Sequence, residues 1–163
     1  MNVEWQLERF DALQLRQLYE LLQLRSAVFA VEQNCVYQDL DDLDFEAFHL
    51  LGCKQETGQL LAYARCLPAG LKYPEASIGR VVVSGLARGR GLGHELIRCA
   101  IAACGPCVDI RINAQAYLES FYLQHGFIAQ GDVYLEDGIR HQMMLRPACR
   151  EPDKSKSQAQ PPA

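Results

Sequence analysis

Ile78-Gly79-Arg80-Val81-Val82-Val83-Ser84-Gly85-Leu86-Ala87-Arg88-Gly89-Arg90-Gly91-Leu92-Gly93 reads as an apolar strand that passes through a glycine-rich turn into a helix. The helix continues over Leu92 to Cys104, with Leu92, Leu96, Cys99, Ala100 and Ala103 on one face. Glycines at alternate positions, 89, 91 and 93, let the main chain approach a ligand closely. The first amides of a helix lack internal partners and sit at the positive end of its dipole. Such a turn suits a phosphate or pyrophosphate, to which Arg88 and Arg90 would add charge-assisted bonds. The competing reading is a plain turn with solvent-facing arginines. Two other glycine motifs are excluded. A P-loop needs Gly-Lys-Ser/Thr, and no lysine occurs between 73 and 153. The dinucleotide pattern G-x-G-x-x-G ends on His94 from Gly89 and on Leu96 from Gly91.

Upstream, Glu4 to Leu7 reads as a short strand, and Asp11 offers a helix cap with Gln14 three residues on. Leu15, Leu18, Leu22, Val28 and Phe29 recur at helical spacing to about Glu32, with a break near Ser26. Residues 34 to 46 read as a polar loop. Phe48–Cys53, Leu60–Leu67 and Ser77–Val83 read as strands. Downstream, Val108, Ile110 and Ile112 alternate with polar residues in a further strand. Tyr117–His125 forms a helix closed by Gly126. Phe127–Leu135 and Ile139–Leu145 flank Asp137-Gly138, a hairpin signal. The expectation is an α/β fold in one domain over residues 1–146, with a disordered tail from Pro147 onward.

Three segments in order carry a resemblance. Arg88-x-x-Gly91-x-Gly93 after an apolar strand resembles the acyl-CoA pyrophosphate motif of the GNAT N-acetyltransferase superfamily. Phe121-Tyr122-Leu123-Gln124-His125-Gly126-Phe127 resembles its second signature. Leu24-Arg25-x-x-Val28-Phe29-x-x-Glu32-Gln33 with Tyr37-x-x-x-Asp41 is similar to the N-terminal segment of the ElaA-like branch. The resemblance implies a mixed sheet of six to seven strands, splayed between the fourth and fifth, with about four helices. It also implies that the amides of Arg88, Gly89, Arg90, Gly91, Leu92 and Gly93 bind the CoA pyrophosphate. Val81, Val82 and Val83 would then pair with pantetheine, and a strand amide would polarise the thioester carbonyl. Gly79 suits a bulge there. Tyr122 matches the tyrosine that protonates the departing thiolate. From ordinary values near 10 and 8.5 that transfer is uphill by about 2 kcal/mol. Where many members carry an asparagine on pantetheine, this chain carries Gln115.

A general base has to be argued from chemistry. Freeing a lysine-like amine at pH 7 costs over ~4 kcal/mol, and an α-amine about 1. Glu32 is the first candidate, at the end of the helix that feeds the acidic loop, and His141 the second. Each has a bland alternative, a solvated helix-end carboxylate and a satisfied strand histidine. Arg25 shares an apolar face with Leu18, Leu22 and Phe29. It either snorkels to solvent or pairs with Glu32 or a loop aspartate, fixing a substrate lip that includes Gln33.

Composition bounds the function. The chain has 163 residues, enough for one domain that buries roughly 70% of its unfolded surface. Apolar residues make up 49% and charged residues 22%, an ordinary globular balance. No run approaches the ~18 apolar residues of a membrane span. The Met1-Asn2-Val3-Glu4-Trp5 start lacks a secretory pattern, and seven cysteines is an odd count. A reduced, cytoplasmic location is the expectation. A net charge of −4 argues against a general nucleic-acid binder. Residues 32–46 nevertheless hold six acids and no Lys or Arg, whereas 80–111 hold five arginines against Glu95 and Asp109. The functional reading is an anionic ligand held centrally and a cationic amine admitted beside the acidic segment; the alternative is two solvated faces.

Other signals carry no chemistry. Cys104-Gly105-Pro106-Cys107 copies a redox tetrapeptide, but Cys104 ends a helix, where the dipole opposes a thiolate. Asp41 to Glu46 lacks the calcium-loop spacing, and His49 with Cys53 falls short of a structural zinc set, so no metal is expected. The reading is an acetyl-CoA-dependent N-acetyltransferase acting on a primary amine by direct attack, as a monomer or homodimer. An acyl-homoserine-lactone synthase and a non-catalytic acyl-CoA-binding module are the rivals.

Overall fold

The computed structural model describes residues 1–149. Seven strands form one sheet: β1 (Val3–Arg9), β2 (Phe48–Lys54), β3 (Leu60–Leu67), β4 (Ala76–Val83), β5 (Ile110–Gln115), β6 (Ile128–Glu136) and β7 (Ile139–Arg146). Three α-helices accompany them: α1 (Leu15–Arg25), α2 (Leu92–Cys104) and α3 (Glu119–Leu123). The strand order is β1-β2-β3-β4-β5-β7-β6. Only β4 and β5 run parallel, joined through α2; every other neighbouring pair is antiparallel.

β3 shows why the sheet has two dry faces. Ala62, Ala64 and Cys66 point into a core shared with Leu92, Leu96, Ile97 and Ala100 of α2. Tyr63, one step out of phase, points to the opposite face with Leu21 of α1 and Val82. A strand covered on both sides reads as a nearly continuous apolar run, as Leu60–Leu67 does. Ile97 rather than Cys99 completes the deeply buried stripe of α2.

Several boundaries differ from the sequence reading. α1 starts at Leu15 with Gln14 as its cap, in a reciprocal bond with Gln17. Asp11 lies instead in a 3-10 turn over Phe10–Ala12, so it does not cap the helix. The break near Ser26 is a widening: Ser26–Glu32 forms a π-helical segment that continues α1, with the Gln33 N–H bonded to Val28 O. The last helix is shorter than Tyr117–His125, because Ala116–Leu118 forms a 3-10 turn before α3. After β7, the Ala148 N–H bonds the Asp109 carboxylate and the Cys149 N–H bonds Pro106 O. The start of the expected tail is thus tied to the domain, and residues 150–163 lie outside the described residues.

Candidate active site

β4 and β5 stay paired only at Ala76 with Ile110 and Ser77 with Arg111. Beyond that point they diverge, and a cleft of about 760 Å³ opens between Ile78–Val83 and Ile112–Gln115. The splay that the resemblance implied is present. Main-chain groups of β4 on the side left by β5 face this cleft without a strand partner.

The turn into α2 closes one end of the cleft. Gly89 and Gly91 have φ of +74° and +77°, values that favour glycine. Gly93 is inside the helix, and a Cβ there would meet Phe121 at 3.7 Å, an ordinary contact. Gly91 O accepts the N–H groups of His94 and Glu95, which leaves Leu92 and Gly93 N–H without helical partners. The geometry is that of an anion cradle.

Arg88 folds back over the cleft mouth. Its Nε donates to Val83 O at 3.0 Å, and its Nη2 lies 2.8 Å from the Glu32 carboxylate. Arg90 is exposed beside it. Tyr122 is 6% exposed on the cleft wall, packed edge-on to Phe121 and Phe127. Burial pushes its phenol well above the ordinary tyrosine range, and Tyr117 adds to the shift.

The structure brings Gln33 and Gln115 together. Their amides exchange hydrogen bonds of 3.0 and 3.3 Å across the cleft, joining the π segment to the end of β5. Each amide keeps one N–H and one lone pair for other contacts. His141 lines the same cleft, its ring bonded to Ile139 O at 2.8 Å with Glu136 3.9 Å away.

Arg25 is fully buried and does not reach Glu32. It donates to Asp39 and Asp44, both at 2.8 Å, and to the Asp39 carbonyl. Arg65 bonds Asp41 at 2.6 Å and Asp44 at 3.1 Å, while Arg80 lies 2.6 Å from Asp39. Burial disfavours the Arg25 charge, and the carboxylates beside it more than offset that, so its pKa is raised. Burial opposes the Asp44 charge too, and the two guanidiniums hold its carboxyl below the usual range. This corrects the role expected of the acidic segment. Asp39, Asp41 and Asp44 form a neutral cluster with three arginines, so they do not present free charge to an incoming amine.

These geometries have a family. A model of the acetyltransferase (GNAT) domain matches residues 23–146. The chain belongs to the GNAT acetyltransferase family. Within it the chain falls in the ElaA-like branch: it is 44% identical to the protein ElaA of Escherichia coli over 149 residues, covering 88% of this chain and 96% of that one. The crystal structure of E. coli ElaA superimposes with a TM-score of 0.82 at 43% identity, over 89% of this chain and 99% of that one. An acyl-CoA N-acyltransferase from Pseudomonas aeruginosa gives 0.83 at 43%, with the same coverage. A CoA-dependent acyl-homoserine lactone synthase, BjaI, solved with SAM and isopentyl-CoA, gives 0.66 at 16% over 88% of this chain and 82% of that one, a likeness of fold alone.

Two features of this GNAT domain had no sequence signal that pattern reading uses. His94 of α2 and His125 after α3 are 31 residues apart, yet their rings share a hydrogen bond of 2.9 Å over Phe121. Burial pushes His125 below the ordinary histidine value, helped by His94, Arg98 and Arg146. In the redox-like tetrapeptide, Cys104 neighbours Cys66 of β3, and this neighbour together with burial pushes the Cys66 thiol up.

Proposed function

We propose that the protein transfers an acetyl group from acetyl-CoA to a primary amine by direct attack, with no covalent enzyme intermediate. One observation carries this reading: an unpaired stretch of β4 runs straight into the amide cradle at Arg88–Gly93, with Tyr122 on the wall between them. In that arrangement the turn amides and Arg88 hold the diphosphate, and Val81–Val83 hold pantetheine along the strand. A β4 amide facing the cleft polarises the thioester carbonyl as charge develops on its oxygen. The amine nitrogen bonds the carbonyl carbon, the C–S bond breaks, and the amine proton passes to Glu32, directly or through water. His141 is the second candidate base. The departing thiolate takes the Tyr122 proton. Gln115 and Gln33 bridge the cleft where the acyl chain meets the acceptor.

Glu32, Glu136 and Asp137 line the cleft, and among the described residues Lys72 is the one lining cation with neither an ion pair nor a place at the anion turn. That balance supports a cationic amine as acceptor, with Arg25 acting at a distance by fixing the lip. Seven unpaired cysteines fit a reducing cytoplasm. No helix among the described residues is long and apolar enough to cross a membrane.

The test is a panel of polyamines, amino acids, peptide N-termini and peptide lysines with acetyl-CoA, reading released thiol. Cationic amines should be acetylated best. Efficient turnover of an anionic amine overturns the acceptor reading, and CoA binding without turnover of any amine favours a binding module.

A further inference from the structure

β4 carries one extra residue. Gly79 faces Arg65 and Val82 faces Tyr63, so Arg80 and Val81 both stand against Ala64, a bulge at the point where the cleft opens. Its first residue is not a glycine: Arg80 has φ of +52°. For a side-chain-bearing residue this conformation costs about 1–2 kcal/mol, and it persists only where the surroundings impose it.

The surroundings are the acidic loop that follows the π segment. Arg80 Nη2 donates to Asp39 O at 2.8 Å and to the Asp41 carboxylate at 3.4 Å. Arg80 Nε is 2.6 Å from Asp39 Oδ1, an ion-pair contact outside hydrogen-bonding angles. The guanidinium also lies 5.9 Å from the ring of Tyr37, whose hydroxyl donates to Asp39 at 3.1 Å. Asp39 and Asp41 are fixed in turn by Arg25 and Arg65. The bulge is therefore gripped through its own side chain by an acidic loop that is itself locked to the sheet.

We propose that Arg80 is a positioning residue for acyl transfer: its pairing with Asp39 and Asp41 holds the β4 bulge in its left-handed form and so aims the main chain of Gly79–Val82 at the thioester carbonyl. This rests on the transferase reading above. It gives the acidic loop a task other than attracting substrate. Arg80 does not touch the donor; it acts through the backbone it bends.

The experiment compares wild type with Arg80→Ala, Arg80→Gly, Arg80→Lys and Asp39→Asn in the full chain. Three readouts are taken: CoA affinity by calorimetry, kcat against KM for acetyl-CoA, and the infrared carbonyl band of bound, carbon-13-labelled acetyl-CoA. Arg80→Gly accepts positive φ without steric cost, so it keeps the test open where Arg80→Ala does not fold. Arg80→Ala and Arg80→Gly should lower kcat roughly 10- to 100-fold, the scale of a small misplacement of reacting groups. CoA affinity should be unchanged, and the red shift of the bound carbonyl should shrink. Arg80→Lys, which keeps the charge without the planar fork, should fall between. Asp39→Asn should move kcat and the carbonyl band in the same direction as Arg80→Gly. Full kcat and a full carbonyl shift in Arg80→Gly overturn the inference and leave the transferase reading standing. A wild-type protein that binds no acetyl-CoA overturns both.

Discussion

Arg88 and Glu32 hold each other: the guanidinium at the glycine turn lies 2.8 Å from the carboxylate proposed as base, and both side chains are nearly half exposed. In the proposed donor site, a diphosphate arriving at the turn would compete with Glu32 for the same nitrogen. Exposed pairs of this kind contribute about 0.2–1 kcal/mol. Glu32→Gln should therefore tighten CoA binding about 1.5- to 5-fold at low salt, and less as salt rises. In an Arg88→Met background the gain should vanish. Isothermal titration checks both; weaker binding by Glu32→Gln would contradict the competition.

Tyr122 holds its proton more firmly than a free phenol, because its site is dry. Complete transfer to a thiolate is then uphill by more than the difference of ordinary values, so in the proposed mechanism the phenol donates a hydrogen bond while the C–S bond breaks and passes its proton only as the thiol departs. Tyr122→Phe removes that donor and leaves the packing against Phe121 and Phe127 in place. Its kcat should drop about 10²- to 10⁴-fold, the range for a single general acid. CoA affinity should hold, which calorimetry on the same sample reads. Unchanged turnover would remove Tyr122 from the chemistry.

What was legible in the chain is what local sequence encodes. β3 and α2 match their expected ranges residue for residue, since each carries its own apolar period and flanking turn. That the Arg88–Gly93 turn and Tyr122 would meet at one cleft was legible because each sits in a contiguous motif. The π segment at Ser26–Glu32 was not, because over seven residues its side-chain spacing resembles an ordinary helix with a flaw. Arg25 was left with three possible fates, and folding chose two aspartates 14 and 19 residues away. A charge run reports sign alone. Which arginine meets which aspartate is set by strands that converge only in the folded sheet, and this also hid the grip of Asp39 on Arg80, 41 residues apart.

Asp44 is the hinge of that charge cluster, with one oxygen accepting from both Arg25 and Arg65. Removing its charge leaves Arg25 with Asp39 and Arg65 with Asp41, but sets three guanidiniums against two carboxylates and so leaves one positive charge uncompensated among buried groups. Asp44→Asn should cost about 3–5 kcal/mol, the range for breaking a buried pair. Asp42→Asn, at an exposed position that forms no ion pair among the described residues, should stay within about 0.5 kcal/mol. Urea unfolding of the two variants separates a structural cluster from a general effect of negative charge.

His49 is fully buried, and its pKa is depressed, first by burial. Tyr63 Oη donates to its Nδ1 at 2.8 Å and its Nε2 donates to Asp44 O at 2.9 Å, so the ring is neutral with its proton on Nε2. A histidine depressed on folding contributes stability that is complete above the unfolded value of about 6.5 and is lost as pH falls through the lower folded value. Wild type should thus lose stability between pH 6.5 and the folded value, with a slope approaching about 1.4 kcal/mol per pH unit from this residue. His49→Phe should be less stable at pH 8 by about 1–3 kcal/mol, having orphaned two buried partners, yet should show a shallower slope. Equal slopes would assign the acid sensitivity elsewhere, His125 being the next candidate.

Gly93 separates the needs of the fold from those of the ligand. Its backbone is helical, and an added Cβ would make only ordinary contact with Phe121 at 3.7 Å and with Val83 at 4.0 Å. Alanine inside a helix is favoured over glycine by about 0.5–1 kcal/mol, so Gly93→Ala should fold at least as stably as wild type. The same methyl stands beside amides that have no helical partner, where the proposed diphosphate would approach the main chain. CoA affinity should therefore fall about tenfold, or about 1.4 kcal/mol, while thermal stability without ligand does not. Gly91→Ala makes the contrast: at φ +77° it should lose stability by about 1 kcal/mol even without CoA. If Gly93→Ala binds CoA as wild type does, the diphosphate does not lie against this turn, and the donor site must be sought along another wall of the cleft.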